Sequence, residues 1–199
     1  MYIIGITGGV GAGKSEILKY LKTHYDAFAI KADDVGHILM QEDKTTCEAI
    51  IKLLGQDVLD DNKVLDRQKI AQKVYADKAL LDKLSAIIHP AVKAYIKLKI
   101  DEQSAMNRKC FLIEAALLLE DNYDQICNEI WYIDASKEVR LKRLKESRAY
   151  SDEKVGQIMS NQLSAAEFKA RCDLTLNNND GFGETIKQIE LRMQKYENV

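Results

Sequence analysis

The sequence has little that would direct it to a membrane or to a nucleic acid. Its 199 residues contain no apolar run as long as a membrane span, which takes about 20 mainly apolar residues. The formal net charge is only -2, so a general attraction to nucleic acid or to an anionic membrane is not expected, although a local basic groove is compatible with it. The first residues indicate a strand and a loop rather than a signal peptide. We therefore expect a cytoplasmic protein with neither a nucleic acid nor a membrane as its partner.

Cysteines are few and widely spaced. The four of them, Cys47, Cys110, Cys127 and Cys172, form no C-x-x-C pair, so neither a zinc site nor a redox motif is indicated. We predict that they are reduced packing residues, because free cysteine is among the most buried residue types.

Internal repeats and low-complexity segments are also absent. With 46% hydrophobic and 30% charged residues, the chain can bury one good core and a small inserted lobe, but hardly two independent domains. The composition is typical of a globular α/β protein.

Residues 2–15, YIIGITGGVGAGKS, combine a short apolar strand with the complete phosphate-binding loop pattern G-x-x-x-x-G-K-S. The glycines let backbone N–H groups close around phosphate oxygens, and a helix beginning near Lys14 aims its positive dipole end there. Lys14 adds a mobile charge for the β and γ phosphates, and the Ser15 hydroxyl is the usual magnesium ligand. A glycine-rich turn without a ligand is the weaker alternative, because strand, spacing, Lys and Ser occur together. The predicted nucleotide-binding residues are Gly9, Val10, Gly11, Ala12, Gly13, Lys14, Ser15 and Glu16.

Four further apolar segments predict strands, at residues 27–30, 110–114, 129–134 and 173–177. Helical patterns lie between them. This alternation predicts an α/β fold in which helices wrap a parallel five-stranded sheet, with the ligand at the carboxyl ends of the strands. The loop after the first strand lies at such an end.

Residues 34–106 interrupt the simple alternation. They are mostly helical in period, hold the only proline and separate strands two and three by far more than a crossover helix needs. We predict an inserted helical lobe there, with the nucleotide-binding core at residues 1–33 and 107–199. Such a lobe would hold the second substrate against the nucleotide, because positioning supplies most of the catalysis in phosphoryl transfer. The alternative is an extra helical layer without a ligand.

Five segments spread over nearly the whole chain carry a family resemblance. They are IIGITGGVGAGKS at the start, ADDVGH at 32–37, LGQDVLDDNKVLDRQKIAQKVYAD at 54–77, HP at 89–90 and IEAALLLE at 113–120. The chain resembles the dephospho-CoA kinases, and residues 54–77 look like that family's substrate lobe and not like generic phosphate-loop kinases. The resemblance implies phosphorylation of the ribose 3′-hydroxyl of dephospho-CoA by ATP with Mg2+, the final step of coenzyme A biosynthesis. It also implies a three-layer P-loop NTPase core, a helical CoA-binding lobe and a lid at about residues 137–162. We expect a monomer or small homo-oligomer.

Asp33 follows the second predicted strand at the carboxyl edge of the sheet, where a carboxylate can accept the proton of an attacking hydroxyl. The resemblance gives Asp33 this role of general base, whereas from the residues alone a helix N-cap suits it equally well. Two residues earlier, where the family usually carries Asp, this chain has Lys31. A nearby ammonium would lower the basicity of Asp33, but the sequence leaves open whether Lys31 faces Asp33 or solvent.

The resemblance implies three further substrate-binding residues, His37, Arg67 and His89. His37 lies four residues after Asp33, on the same face if a helix begins there. For Arg67 the alternative is a surface salt bridge with a neighbour. For His89 it is a hydrogen-bonded histidine at a helix break forced by Pro90.

Charged residues near the ends of strands three and four are candidates for the transfer itself. Glu114 ends strand three, where the family more often shows Asp and where a carboxylate can bind magnesium through water, so we assign it a supporting role. Arg140, Arg143 and Arg148 lie in the charged segment predicted as the lid, and a guanidinium suits the charge of a transferring phosphoryl group. The match to the family's lid favours Arg143. The second lid arginine of the family usually lies four residues later, where this chain has Ser147 followed by Arg148. A solvated helix face is the alternative for each arginine.

Near the end, DLTLNN at residues 173–178 is similar to the family's adenine-side segment and puts Asn178 at the matching spacing. An amide can read both a donor and an acceptor on the adenine edge, which would favour ATP over GTP. The alternative is a plain turn before Gly181.

Two other functions stay open. A kinase for another nucleoside or small alcohol fits the loop alone, although residues 54–77 argue against it. A nucleotide-gated regulatory protein would need a switch and a partner surface, and the sequence shows no N-K-x-D guanine-reading string, no appended interaction domain and no basic nucleic-acid patch. ATP consumption that depends on an added small acceptor separates these possibilities.

Overall fold

Five strands form one sheet, and the phosphate-binding loop follows its central strand. The strands are β1 Tyr2–Thr7, β2 Ala27–Lys31, β3 Cys110–Glu114, β4 Glu129–Asp134 and β5 Leu174–Asn177. Their order in the sheet is β2-β3-β1-β4-β5, and the pairs of β1 with β3, β1 with β4 and β4 with β5 are parallel. The predicted α/β fold with a parallel five-stranded sheet is therefore confirmed.

The computed structural model describes residues 1–75, 77–148, 156, 159 and 162–197, except for the side chains of 147, 148 and 197. Met1–Ala29 and Gln103–Val199 form one compact unit, and Ile30–Glu102 form another. The first unit carries the phosphate-binding loop, and the second is mainly helical. That the inserted segment at 34–106 holds a substrate stays a prediction.

Most of the described chain outside the sheet is helical. The α-helices are α1 Lys14–His24, α2 Ala32–Glu42, α3 Lys44–Leu54, α4 Arg67–Tyr75, α5 Lys78–Ala105, α6 Lys137–Arg148, α7 Ala165–Arg171 and α8 Phe182–Glu197. Short 3-10 turns occupy Gln56–Val58 and Tyr123–Gln125. None of the helices within the described residues is both long and apolar enough to span a membrane.

The strands are continuous apolar runs because other elements of the fold cover both faces of the sheet. Successive side chains of a strand point to opposite faces. On one face, Ile4 of β1 and Ile133 of β4 belong to the same buried cluster as Leu21 of α1 and Ile189 of α8. Full burial of each such side chain contributes about 1.5–3 kcal/mol to folding.

The other face of the sheet packs against different elements. Tyr132 of β4 stacks on Phe168 of α7, with 4.8 Å between the ring centroids. Gly5 of β1 points toward this side, where a Cβ would lie 3.0 Å from the Leu118 side chain and 3.0 Å from the Cys127 sulfur. The sheet is therefore the middle layer of three, which places the phosphate-binding loop at the edge of a rigid core.

The second unit has its own core, to which α3, α4 and α5 contribute. Ile50, Ile70 and Leu84 are buried in one cluster there. Asp43 is the N-cap of α3, and its carboxylate accepts the Thr46 N–H at 2.7 Å. These contacts give the helical segment a hydrophobic core and a defined helix start.

Helix α5 runs through Pro90. Proline removes one helical hydrogen bond and usually kinks or breaks a helix, and a break at Pro90 is the alternative that the sequence offers for His89. In the structure the helix does not end at Pro90, so His89 lies inside a helix and not at a break.

Candidate active site

The phosphate-binding loop connects the carboxyl end of β1 to α1. Three of its glycines have positive φ angles, 143° at Gly8, 79° at Gly11 and 97° at Gly13. Residues with a side chain rarely adopt such angles, whereas glycine does so at little cost. The loop conformation therefore requires these glycines.

Close approach adds a second reason for glycine at the two ends of the loop. A Cβ on Gly8 would lie 2.7 Å from the carbonyl oxygen of Ile133, which is fixed in β4. A Cβ on Gly13 would overlap the side-chain amide of Asn178. The loop therefore packs against β4 and against the segment that follows β5.

Lys14, the first residue of α1, folds back over the loop. Its Nζ donates to the carbonyl oxygen of Gly8 at 2.8 Å and to that of Gly9 at 3.4 Å. The same Nζ lies 3.7 Å from Oε1 of Glu114, the last residue of β3, and the two side chains are only 12% and 13% exposed. The structure thus brings together two predicted site residues in a largely desolvated ion pair, where a charge acts more strongly than in water.

Ser15 and Glu16 follow in the first turn of α1 and are exposed. Among the described residues, no group of three or more His, Cys, Asp or Glu side chains could hold a metal ion by itself. Magnesium at a phosphate site needs no such group, because it keeps several waters and takes one or two protein oxygens besides the phosphates. The Ser15 hydroxyl fits that kind of site.

Arg140 of α6 holds the loop from outside. Its Nε donates to the carbonyl oxygen of Val10 at 2.8 Å, and one of its terminal nitrogens donates to Oε1 of Gln162 at 2.6 Å. The same Gln162 oxygen accepts the Val10 N–H at 3.2 Å. Burial lowers the pKa of the Arg140 guanidinium from its ordinary value. The two side chains together fix the middle of the loop.

Arg143 and Asn178 meet at the next carbonyl along the loop. Asn178 Nδ2 donates to the carbonyl oxygen of Ala12 at 2.7 Å, and Arg143 donates to the same oxygen at 3.2 Å. Arg143 also donates to the backbone oxygen of Asn178 at 2.9 Å. The Asn178 residue is completely buried, and its Oδ1 accepts from the Thr185 hydroxyl at 2.9 Å. These contacts connect the loop to α6, to the end of β5 and to α8.

Comparison with known proteins identifies the family. The family model described as dephospho-CoA kinase matches residues 2–184. The chain belongs to the dephospho-CoA kinase family. A relative from Fusobacterium nucleatum that carries the name dephospho-CoA kinase is 33% identical over 192 residues, which cover 94% of this chain and 95% of the relative. The predicted resemblance and the assignment as a kinase are confirmed.

Solved structures agree with the fold expected of a dephospho-CoA kinase family member. A crystal structure of a Thermus thermophilus protein superposes with a TM-score of 0.81 at 24% identity, over 98% of this chain and 97% of that one. The dephospho-CoA kinase from Campylobacter jejuni superposes with a TM-score of 0.72 at 22% identity, over 99% of this chain and 98% of that one. At these identities the likeness shows the fold alone.

The residue predicted as the general base of this dephospho-CoA kinase family member lies directly after β2. Asp33 is the second residue of α2 and is exposed. The N-cap of α2 is Lys31, which makes no side-chain capping bond, so Asp33 is not the cap. Within the described residues no ion pair joins Lys31 to Asp33. Asp33 is thus on the surface of its unit, and its catalytic role stays a prediction.

The other predicted substrate residues of the dephospho-CoA kinase family also lie on helices of the second unit. His37 is partly buried on α2, and His89 is partly buried on α5. Arg67 is exposed at the start of α4, where the carboxylate of Asp66 accepts the Gln68 N–H at 2.8 Å. In the described part of the chain Arg67 forms no ion pair, so the surface salt bridge considered for it is absent. The roles of these three residues stay predictions.

The lid predicted for this dephospho-CoA kinase family member is described only in part. Helix α6 covers its start, and Arg143 lies there with the contacts given above. The side chain of Arg148 lies outside the described residues, as do residues 149–155. The predicted role of Arg148 therefore stays a prediction.

Sequence reasoning missed three residues that support the loop. Arg140 and Gln162 contact Val10 of the loop, and Thr185 contacts Asn177 and Asn178 behind it. Arg140 and Arg143 are three residues apart, a spacing that places them on one helix face, so the sequence did contain a signal for a shared role. Gln162 and Thr185 carry no such signal, because their contacts with Val10 and with Asn178 depend on how distant segments pack.

Proposed function

We propose that this member of the dephospho-CoA kinase family transfers the γ-phosphoryl group of ATP to the ribose 3′-hydroxyl of dephospho-CoA and so forms CoA and ADP. The observation that carries the proposal is the phosphate-binding loop with Lys14 held 3.7 Å from Glu114 at the carboxyl edge of the sheet. The family match over residues 2–184 supports dephospho-CoA as the acceptor.

On the nucleotide side, backbone N–H groups of the loop such as those of Gly11 and Gly13 would surround the phosphates of ATP, and Lys14 would neutralise the β and γ phosphates. Ser15 would hold Mg2+, which supplies further neutralisation of the phosphate charge when it is bound. Glu114 would keep the Lys14 ammonium close to the loop, and Glu16 in the first turn would lie beside the nucleotide. The geometry of Lys14 and Glu114 supports the roles proposed for these two residues.

On the acceptor side, Asp33 would take or orient the proton of the attacking 3′-hydroxyl. Its exposure and its place directly after β2 support this role, because parallel sheets bind ligands outside the carboxyl ends of their strands. His37 lies one turn further along α2 and would contact the acceptor from the same helix.

The inserted lobe at residues 34–106 would bind the rest of dephospho-CoA. Arg67 is exposed and without an ion pair within the described residues, which leaves its guanidinium available for a phosphate group. His89 would contribute from α5. During transfer, Arg143 and Arg148 of the predicted lid would screen the charge on the phosphoryl group.

We also propose a cytoplasmic monomer or small homo-oligomer with ATP and dephospho-CoA as its partners. Both are water-soluble small molecules, and the net charge of -2 favours neither a nucleic acid nor an anionic membrane surface as a partner.

Acceptor-dependent ADP release tests the proposal. Purified protein, ATP and Mg2+ are mixed with dephospho-CoA, and CoA, whose 3′-hydroxyl is already phosphorylated, serves as the matched control. We expect ADP release with dephospho-CoA and none above background with CoA. Equal release with both compounds would mean that ATP is consumed without transfer to the 3′-hydroxyl, and release with adenosine but not with dephospho-CoA would indicate another acceptor. Either result would contradict the proposal.

A further inference from the structure

The carbonyl oxygen of Ala12 is held by two donors that lie outside the loop. Asn178 Nδ2 approaches it to 2.7 Å and Arg143 to 3.2 Å. The chain contains no cis peptide among the described residues, so the N–H of Gly13 points opposite to this carbonyl. Within the described residues the Gly13 N–H donates no hydrogen bond of its own. It is therefore a donor that faces the inner, anion-binding side of the loop.

Thr185 determines which way the Asn178 amide is turned. The Thr185 hydroxyl lies 2.9 Å from Asn178 Oδ1 and 3.0 Å from the carbonyl oxygen of Asn177, but it has a single hydrogen to donate. The Asn177 carbonyl already accepts from Gln188 Nε2 at 2.9 Å. The Thr185 hydrogen is thus free for Asn178 Oδ1, which leaves Nδ2 directed at Ala12. Both Thr185 and Asn178 are completely buried, so water cannot replace this bond.

The Val10 carbonyl, two residues before that of Ala12, is also held by a donor from outside the loop. The Val10 carbonyl accepts from Arg140 at 2.8 Å, which turns the following Gly11 N–H inward. In the described part of the chain the Gly11 N–H also donates no hydrogen bond. The carbonyls of Val10 and Ala12 therefore point away from the inner side of the loop, and the N–H groups of Gly11 and Gly13 point toward it.

We propose that Asn178 and Thr185 are positioning residues of the phosphate-binding loop. Thr185 orients Asn178, Asn178 holds the Ala12 carbonyl, and the Gly13 N–H is thereby aimed at the phosphates of the bound nucleotide. The inference rests on the proposed function, because it concerns how that nucleotide is held. It gives Asn178 a role in binding phosphate that does not depend on the base.

Nucleotide affinity of Thr185→Val tests the proposal without any acceptor. Valine keeps the shape of threonine but removes the hydroxyl, which leaves Asn178 Oδ1 buried without its donor. We expect calorimetric titration to show affinities for ATP, GTP and the base-free probe tripolyphosphate that are all weaker by the same factor, about tenfold. Thr185→Ser keeps the hydroxyl and should restore affinity to within about twofold of wild type.

Thr175→Val is the matched control, because Thr175 lies on β5 and its hydroxyl makes no hydrogen bond among the described residues. We expect it to bind all three ligands like the wild type. Asn178→Asp is the second test variant, since a carboxylate cannot donate to the Ala12 carbonyl. Its loss of affinity for the three ligands should exceed that of Thr185→Val. Thermal melts establish that each variant is folded.

Two results would overturn the proposal. One is unchanged affinity for tripolyphosphate in both folded variants. The other is a loss confined to ATP, which would instead mark Asn178 as a reader of adenine. Because the titrations contain no acceptor, a failure of dephospho-CoA to be phosphorylated would leave their outcome unaffected.

A spectroscopic readout follows the Gly13 N–H directly. The chain has 10 glycines, so 15N-glycine labelling gives a simple amide spectrum. We expect the Gly13 resonance of the protein without nucleotide to move in Thr185→Val and to stay in place in Thr175→Val. A Gly13 resonance that is identical in wild type and Thr185→Val would contradict the positioning role.

Discussion

Lys14 and Glu114 form an ion pair at the carboxyl edge of the sheet, with 3.7 Å between Nζ and Oε1. Lys14 begins α1, and Glu114 ends β3, which pairs directly with the strand that leads into the loop. Both side chains are largely withdrawn from water. The carboxylate therefore keeps the ammonium at the loop, where the phosphates of a nucleotide would meet it.

Removal of either charge is expected to impair the kinase. Lys14→Met should lower kcat about hundredfold and weaken ATP binding, because the loss of one preorganised charge at a transition state costs on that order. Glu114→Gln should cost about tenfold in kcat, since the shape is kept while the hold on Lys14 weakens. Lys19→Met, at an exposed lysine of the same helix, is the control. Wild-type kinetics of Glu114→Gln in a steady-state ADP assay would remove Glu114 from the site.

Asp33 and Asp34 provide a matched pair for testing the general base, because both are exposed in the first turn of α2. Asp33→Asn should lower kcat at least about hundredfold and leave ATP affinity nearly unchanged, since an amide cannot accept the hydroxyl proton. Asp34→Asn should behave like the wild type. Equal effects of the two substitutions on kcat would mean that Asp33 has no specific role in proton transfer.

Gly13→Ala should abolish nucleotide binding. Its φ angle of 97° disfavours a side chain, and a Cβ would overlap the Asn178 amide. Gly183→Ala is the control, because a Cβ at that helical position would meet no atom within 4 Å apart from its chain neighbours and the backbone of its own helix. It should keep ATP binding and raise the free energy of unfolding by about 0.5 kcal/mol. ATP titration and thermal melts measure both, and tight ATP binding by Gly13→Ala would contradict the described loop conformation.

The cysteines should react slowly in the folded protein. All four are free, and burial raises the pKa of Cys127 to about 12 and that of Cys172 to about 11. Burial also raises the pKa of Cys47 and of Cys110. A raised thiol pKa means less thiolate at pH 8, and the thiolate is the reactive form.

Iodoacetamide labelling followed by peptide mapping checks this expectation. At pH 8 the native protein should label far more slowly than the protein in urea, where each thiol regains a pKa of about 8.5. The native rate should continue to rise well above pH 9. Native labelling as fast as in urea would show that the thiols are exposed and ionised.

The strands could be predicted because each is an apolar run covered on both faces of the sheet. The segment at 110–114 coincides with β3 and that at 129–134 with β4, and the others differ by one residue at an end. The loop was equally accessible to prediction, since its glycines, Lys14 and Ser15 are close in sequence and each is required by local chemistry.

The contacts behind the loop could not be predicted in the same way. The resemblance gives Asn178 an adenine-reading role, which stays a prediction, and it does not reveal the side-chain hydrogen bonds that Asn178 makes with Ala12 and Thr185. The distance in sequence between Ala12 and Asn178 is 166 residues, so their contact depends on the order of the strands. Helix α5 shows a similar limit of prediction from sequence. Proline usually breaks a helix, yet α5 continues through Pro90.

The measurement that tests the central claim most directly is the position of the new phosphate in the product. Purified protein is incubated with ATP, Mg2+ and dephospho-CoA, and the product is isolated and analysed by mass spectrometry and by 31P and 1H NMR. The account predicts CoA with the added phosphate on the ribose 3′-oxygen. Phosphate on another oxygen, or no transfer by a folded protein that still binds ATP, would contradict it.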